Sequence, residues 1–205
     1  MRINLMKQHI HPTSALQARR LCLAAALAVL NVAAGAWPTA ATSSAAPHGD
    51  LRGKIVDVDD GDTVVLLTAS NDQVKIRLAS IDAPESSHTN KESGRIGQPF
   101  SENSKRHLEQ LVKGKTVDAK CPDVDRYGRT VCELFVNGAS ANVDMVRSGW
   151  AWANMASHGR YLRDRSLVQL QEGAQKARAG LWAGSKPIAP WEWRRECWEQ
   201  GNCPN

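Results

Sequence analysis

Between residues 51 and 80 the chain carries three short runs of alternating apolar and polar residues parted by turn residues, and no other feature restricts its fold as sharply. Residues 54–59, 63–68 and 73–79 are rich in β-branched side chains and read as strands. Asp60-Gly61 supplies turn chemistry between the first two, and Ala69-Ser70-Asn71-Asp72 between the next two, so the expected unit is an antiparallel meander. In the third run Val74, Ile76 and Leu78 point to one face and Lys75 and Arg77 to the other, which aims Arg77 away from the core stripe.

Downstream, residues 86–98 form a polar loop, and Pro99 suits the first turn of a helix whose apolar face is Phe100, Leu108, Leu111 and Val112 and which Gly114 ends. Residues 116–119 and 130–136 read as two more strands, followed by the hairpin signal Asn137-Gly138. A short helix over 143–148 is closed by Gly149. A longer one over 160–179 carries Leu167, Leu170, Ala174 and Ala177 at helical spacing and is closed by Gly180. Five strands and three helices in this order predict a mainly β, α+β domain: a small five-stranded antiparallel barrel packed against helices.

The first 36 residues have a different character. Arg2, Lys7, Arg19 and Arg20 stand without an acid ahead of an apolar run of about 16 residues, short of the ~20 that span a bilayer, and Ala34-Gly35-Ala36 offers a small-residue cleavage site. The expectation is an export signal over 1–36, cleaved near Ala36, with an uncleaved anchor as the alternative. A flexible lead-in over 37–50, a folded domain over 51–184 and an extension over 185–205 rich in Trp and Cys complete the organisation. All 21 acidic residues follow position 36 and four of the 26 basic ones precede it, which leaves 22 basic against 21 acidic residues in the exported chain. The high overall pI therefore belongs largely to the leader and says little about nucleic acid.

Removing the leader also removes Cys22 and leaves Cys121, Cys132, Cys197 and Cys203, an even number that suits an oxidising compartment. Cys121 can pair with Cys132 if they lie on neighbouring strands, and Cys197 with Cys203 across a small loop; free thiols or another pairing remain open. The spacings are wrong for zinc.

Three segments carry chemistry. In Val58-Asp59-Asp60-Gly61-Asp62-Thr63-Val64 acids cluster at a strand turn; the glycine offset, and Thr68 at position twelve, exclude an EF-hand. In Ile76-Arg77-Leu78-Ala79-Ser80-Ile81-Asp82-Ala83-Pro84-Glu85 a proline stiffens the bend that holds two carboxylates. In Asp125-Arg126-Tyr127-Gly128-Arg129 a glycine allows a tight turn whose arginines can reach a phosphate. Each alone is more simply an acidic hairpin turn, a solvated bend or a charged loop; the order of the three is what carries information.

Taken together these motifs resemble the staphylococcal nuclease (thermonuclease) family, in order from residue 51 to 182, with Asn142-Val143-(x2)-Val146-Arg147-(x)-Gly149 and Gly180-Leu181-Trp182 completing the likeness. The resemblance implies a five-stranded OB-type barrel with three helices and a Ca²⁺-dependent endonuclease acting on DNA and RNA. By position, Asp62 and Asp82 would be side-chain calcium ligands and the main-chain carbonyl of Ala83 another; the family usually has Thr at that last position. Glu85 would orient or deprotonate the attacking water, Arg77 and Arg129 would stabilise the transition state, and Arg126 and Tyr127 would bind substrate.

The chemistry fits independently. Phosphodiester hydrolysis needs a Lewis acid, a positioned water and positive charge where negative charge builds up. Oxygen ligands suit Ca²⁺, and the planar fork of arginine suits phosphate. Met155 stands where the family carries a base-stacking tyrosine, with Trp150 and Trp152 nearby, so an altered base preference is expected. Single-stranded nucleic acid is the expected substrate, for a monomer with no stable protein partner and no membrane attachment once the leader is gone. The segment Trp191-Glu192-Trp193-Arg194-Arg195-Glu196-Cys197-Trp198 is expected to pack on the barrel under a disulfide, with single-strand stacking as the alternative. A rival reading is an OB-fold binding module without catalysis, against which the retained acids Asp62, Asp82 and Glu85 count.

Overall fold

The computed structural model describes residues 49–87 and 95–204. The expected leader, nearly all of the lead-in, and residues 88–94 of the polar loop lie outside the described residues. The three alternating runs form β1 (Leu51–Asp60), β2 (Thr63–Thr68) and β3 (Gln73–Leu78), paired as the expected antiparallel meander. A very short β4 (Ile81–Asp82) follows, then α1 (Ser101–Val112), β5 (Thr116–Val124), β6 (Thr130–Val136) and β7 (Ala139–Ser140). The remaining elements are α2 (Ala141–Arg147), β8 (Trp152–Ala153), a one-turn α3 (Ala156–Gly159), α4 (Ser166–Lys176), a 3-10 turn (Gly180–Ala183), α5 (Pro190–Trp193) and a π-helical turn (Arg194–Glu199).

The sheet runs β3-β2-β1-β5-β6 and closes by pairing β3 with β6. That closing pair is parallel, which corrects the expectation of a wholly antiparallel barrel. Parity is the reason: when five strands alternate in direction around a closed ring, the first and last necessarily run the same way. Val58, Val64, Leu66, Ile76, Leu78 and Leu134 fill the barrel, and Leu108, Val112, Met145, Val146 and Leu167 cover it from the helices. Asn137 and Gly138 both take positive φ, the requirement of a type I′ turn, and join β6 to β7.

All three helices differ from their expected bounds; α2 runs over Ala141–Arg147 rather than 143–148, with Ser140 capping it through the Val143 amide. The first begins at Ser101, after Phe100 adopts φ 68°, rather than at Pro99. The long C-terminal helix begins at Ser166 instead of 160, because the backbone amides of Arg163 and Asp164 bond to Ser80 Oγ, at 2.9 and 3.3 Å, instead of continuing a helical ladder. It stops at Lys176, before Arg178 turns to φ 53°. Both of the disulfides considered from the sequence are present, Cys121–Cys132 across β5 and β6 and Cys197–Cys203 in the extension. Among the described residues no helix is long and apolar enough to cross a membrane.

Candidate active site

Asp62 opens the site from the β1–β2 turn. That turn lies hard against α1: a Cβ on Gly61 would sit 2.0 Å from Ser104 Oγ, so only glycine lets the acidic turn approach the helix this closely. Asp62 is 5% exposed. Its Oδ1 accepts from Thr63 Oγ1 at 3.1 Å and its Oδ2 from the Ala83 amide at 2.7 Å. The second contact ties the turn to the segment carrying Asp82 and Glu85.

That segment is positioned by tertiary contacts. Ser80 sits at φ 66° and accepts the Asn154 amide on its carbonyl at 2.8 Å, which turns the chain from β3 into β4. β4 pairs with β8, placing Asp82 opposite Trp152. Buried Asn142 stitches the same region together. It donates to the carbonyls of Ala79 and Cys132, at 2.9 and 3.3 Å, and accepts from the Leu134 amide at 3.0 Å. Glu85 is held by reciprocal bonds with Gln98, whose backbone donates to the Glu85 carbonyl at 2.7 Å and whose side-chain oxygen accepts from the Glu85 amide at 3.3 Å.

Arg77 projects from β3 between the two aspartates. Its Nη1 is ion-paired with Asp62 Oδ2, without the alignment of a hydrogen bond, and its Nη2 donates to Asp82 Oδ1 at 2.7 Å. The structure therefore brings Asp62, Arg77, Asp82, Ala83 and Glu85 into one connected, largely desolvated group. Burial pushes the Glu85 carboxyl above its usual range, with the Asp82 and Asp60 charges adding to the effect and Arg194 opposing it. Asp60 is also raised, chiefly by burial and partly by Asp59, against the pull of Arg77 and Arg129.

Arg129 stands elsewhere. The pairing of Ile76 with Thr130 and Arg77 with Val131 puts it at the same end of β6 that neighbours Arg77. Its guanidinium, however, is turned onto Asp125, with Nε donating to Asp125 Oδ2 at 2.7 Å and Nη2 at the same distance. Asp125 also accepts the amides of Tyr127 and Arg129, each at 2.9 Å, so the loop is organised around its own carboxylate. Burial alone would raise that carboxyl, but the bonds from Arg129 and Tyr127 outweigh it and hold it below the usual range. Tyr127 is 68% exposed, with the Arg126 and Arg129 guanidiniums over its ring and Arg126 Nη2 donating to its hydroxyl at 2.7 Å.

Two site residues escaped the sequence reading. Asp60 reads as an ordinary turn acid, but its Oδ1 accepts the Asp62 amide at 3.0 Å, and its charge acts on Glu85 while that of Arg77 acts on it. Arg194, 109 positions from Glu85 in the chain, donates to Asp82 Oδ2 at 2.8 Å and Oδ1 at 3.3 Å and is ion-paired with Glu85. Burial opposes its charge, but Asp82 and Glu85 outweigh this and keep the guanidinium protonated more firmly than usual. No spacing in the sequence pointed from the extension to the acids.

The aromatic candidates near Met155 are spent on packing. Trp152 is buried edge-on against Trp182, Trp150 lies beside His107 and the core, and Met155 itself is exposed. A cleft of about 430 Å³ lies by the Cys121–Cys132 disulfide, lined by residues that include Ser80, Lys120, Asn142 and Arg163. None of the acids of the site lines it, so the acid group sits apart from this cleft.

The sequence of this chain has relatives among known proteins. Residues 75–184 match the model of the family described as staphylococcal nuclease homologue. The chain belongs to the staphylococcal nuclease family. It is 39% identical over 143 residues to a Haemophilus influenzae protein named "uncharacterized endonuclease", covering 70% of this chain and 72% of that one. It is 37% identical to protein ParB of Escherichia coli, covering 84% and 89%, and 31% identical to the micrococcal nuclease of Shigella flexneri, covering 89% and 95%. The protein is accordingly a nuclease of this family, a hydrolase whose substrates are nucleic acids.

The family implies calcium, and the donor set suits it in kind. Asp60, Asp62, Asp82 and Glu85 set four carboxylates against the two guanidiniums of Arg77 and Arg194, an excess of negative oxygen donors of the sort a hard cation prefers. As arranged, these oxygens face guanidiniums: among the described residues no three His, Cys, Asp or Glu side chains converge to hold an ion by themselves.

Proposed function

We propose that this protein is an exported, Ca²⁺-dependent endonuclease that cleaves phosphodiester bonds of DNA and RNA, acting preferentially on single strands as a monomer. The observation that carries the reading is the linked group Asp62, Arg77, Asp82 and Glu85 at the barrel edge. Asp62, Asp82 and the Ala83 carbonyl would hold the cation, which when bound supplies Lewis acidity toward a non-bridging phosphate oxygen. Glu85 orients a water and takes its proton as the oxygen attacks phosphorus and the ester P–O bond to the departing nucleotide breaks, the leaving oxygen taking a proton from solvent; a carboxyl raised above its usual range favours the base role. Arg77, already fixed between the aspartates, balances charge on the phosphorane-like transition state. Arg129 does the same after exchanging Asp125 for phosphate, and Arg126 with Tyr127 guides the strand. Export is supported by the leader pattern before residue 37 and by two disulfides, which persist in oxidising compartments.

The test is digestion of single-stranded DNA and RNA in Ca²⁺ and in EDTA, for wild type and Glu85→Gln. Cleavage is expected only with Ca²⁺ and only weakly in the variant. Equal activity in EDTA, or an undiminished Glu85→Gln, would remove the cation or the base from the mechanism. N-terminal sequencing of exported protein should start near residue 37.

A further inference from the structure

The acids are arranged around guanidiniums, and one of those guanidiniums comes from outside the barrel. Arg194 begins the π-helical turn of the C-terminal extension, and its backbone is tightly fixed there. Trp193 beside it is 2% exposed and donates its indole N–H to the Ile96 carbonyl at 3.2 Å; Trp198 donates to the same carbonyl at 2.9 Å. Gln98, which holds Glu85, also donates to the Ile188 carbonyl at 2.5 Å, and Cys197–Cys203 closes the turn. The strap is thus anchored on the loop that positions Glu85, while the Arg194 side chain reaches the acids with one-third of its surface still exposed.

Its contacts consume donor capacity. Asp82 Oδ1 accepts from both Arg77 and Arg194, Oδ2 accepts from Arg194, and Glu85 Oε1 is paired with the same guanidinium. A cation taking Asp82 must therefore share or displace Arg194, and like charges at this range repel. We infer that Arg194 is an internal counter-cation that competes with the divalent ion for Asp82 and Glu85, so that the C-terminal strap sets the ion affinity of the site. The inference rests on the proposed calcium reading. By linkage, whatever the guanidinium subtracts from ion binding, the ion subtracts from the guanidinium's hold. The device sets a positive charge against Asp82 and Glu85 when no ion is present, and makes affinity depend on an element the barrel does not need for closure.

Calorimetric titration of the intact protein with Ca²⁺ alone, for wild type, Arg194→Ala and Arg194→Lys, tests this. Arg194→Ala should bind Ca²⁺ about tenfold or more tightly, within the ordinary range of site-to-site coupling, and Arg194→Lys should fall between. On the wild type, Ca²⁺ should speed phenylglyoxal modification of Arg194 several-fold, read by peptide mass spectrometry, which keeps the test alive if Arg194→Ala does not fold. Unchanged or weaker Ca²⁺ affinity in folded Arg194→Ala, or Ca²⁺ protection of Arg194 from the reagent, overturns the inference while Ca²⁺-dependent cleavage still upholds the functional reading. Absence of Ca²⁺ binding in every variant overturns both.

Discussion

The acid edge of the barrel and the 125–129 loop present opposite solutions to holding charge. At the edge, Asp62 and Asp82 are almost fully buried and bonded to residues from β3, the segment after β4 and the C-terminal strap. In the loop, Arg129 and Asp125 satisfy one another four residues apart, and Tyr127 stands in solvent. On the proposed reading, the groups that would meet a small ion and a water are fixed before anything binds, while those that would meet a long polyanion are kept on a local carboxylate from which phosphate could take them. The difference teaches that preorganisation here is divided by partner.

Truncating each half should expose that division. Glu85→Gln should lower kcat by about 10³-fold with little change in KM, as expected for a positioned base. Arg129→Ala should cost about 10²-fold and raise KM as well, because its guanidinium is recruited during binding. Equal kinetic patterns would show that the two halves are not organised differently. Asn142→Ala, probed by chemical denaturation, should destabilise the protein by about 2–3 kcal/mol, since it strands the Leu134 amide and the Ala79 carbonyl in the core. By contrast Tyr127→Ala should leave stability within about 0.5 kcal/mol, as an exposed loop change does.

Acid should separate the halves in sign. The Asp125 carboxyl lies below its usual range when folded, so its stabilisation is present above pH 3.8 and is lost as pH falls through the depressed folded value. Glu85 is raised, so in ion-free protein the folded state binds the extra proton, and stability falls as pH rises from 4.5 through the raised value. Carboxyl carbon shifts followed by NMR titration check both directions; two shifts of the same sign would dissolve the contrast.

How much of this was legible in the chain depended on range. The meander, the β6 strand and the Asn137-Gly138 turn rest on local alternation and backbone sterics, and the structure has them where the pattern put them. The helix start at Ser166 was not legible, because Ser80, far away in sequence, takes the amides of Arg163 and Asp164. Within the site, the three motif segments announced their acids and arginines, but which arginine meets which acid did not follow. Arg77 bridges Asp62 and Asp82, whereas Arg129 turns to its own loop.

By itself, then, the sequence determined the strand runs, the ordered acid and arginine segments and the likeness to a nuclease family, all encoded in spacings of a few residues. Tertiary structure decided the parallel closing pair, through the parity of five strands, and the entry of Arg194 among the acids. Long-range contacts of that kind leave no local periodicity, because an arginine in an aromatic helical turn looks the same whether it faces water or a carboxylate across 112 residues of chain.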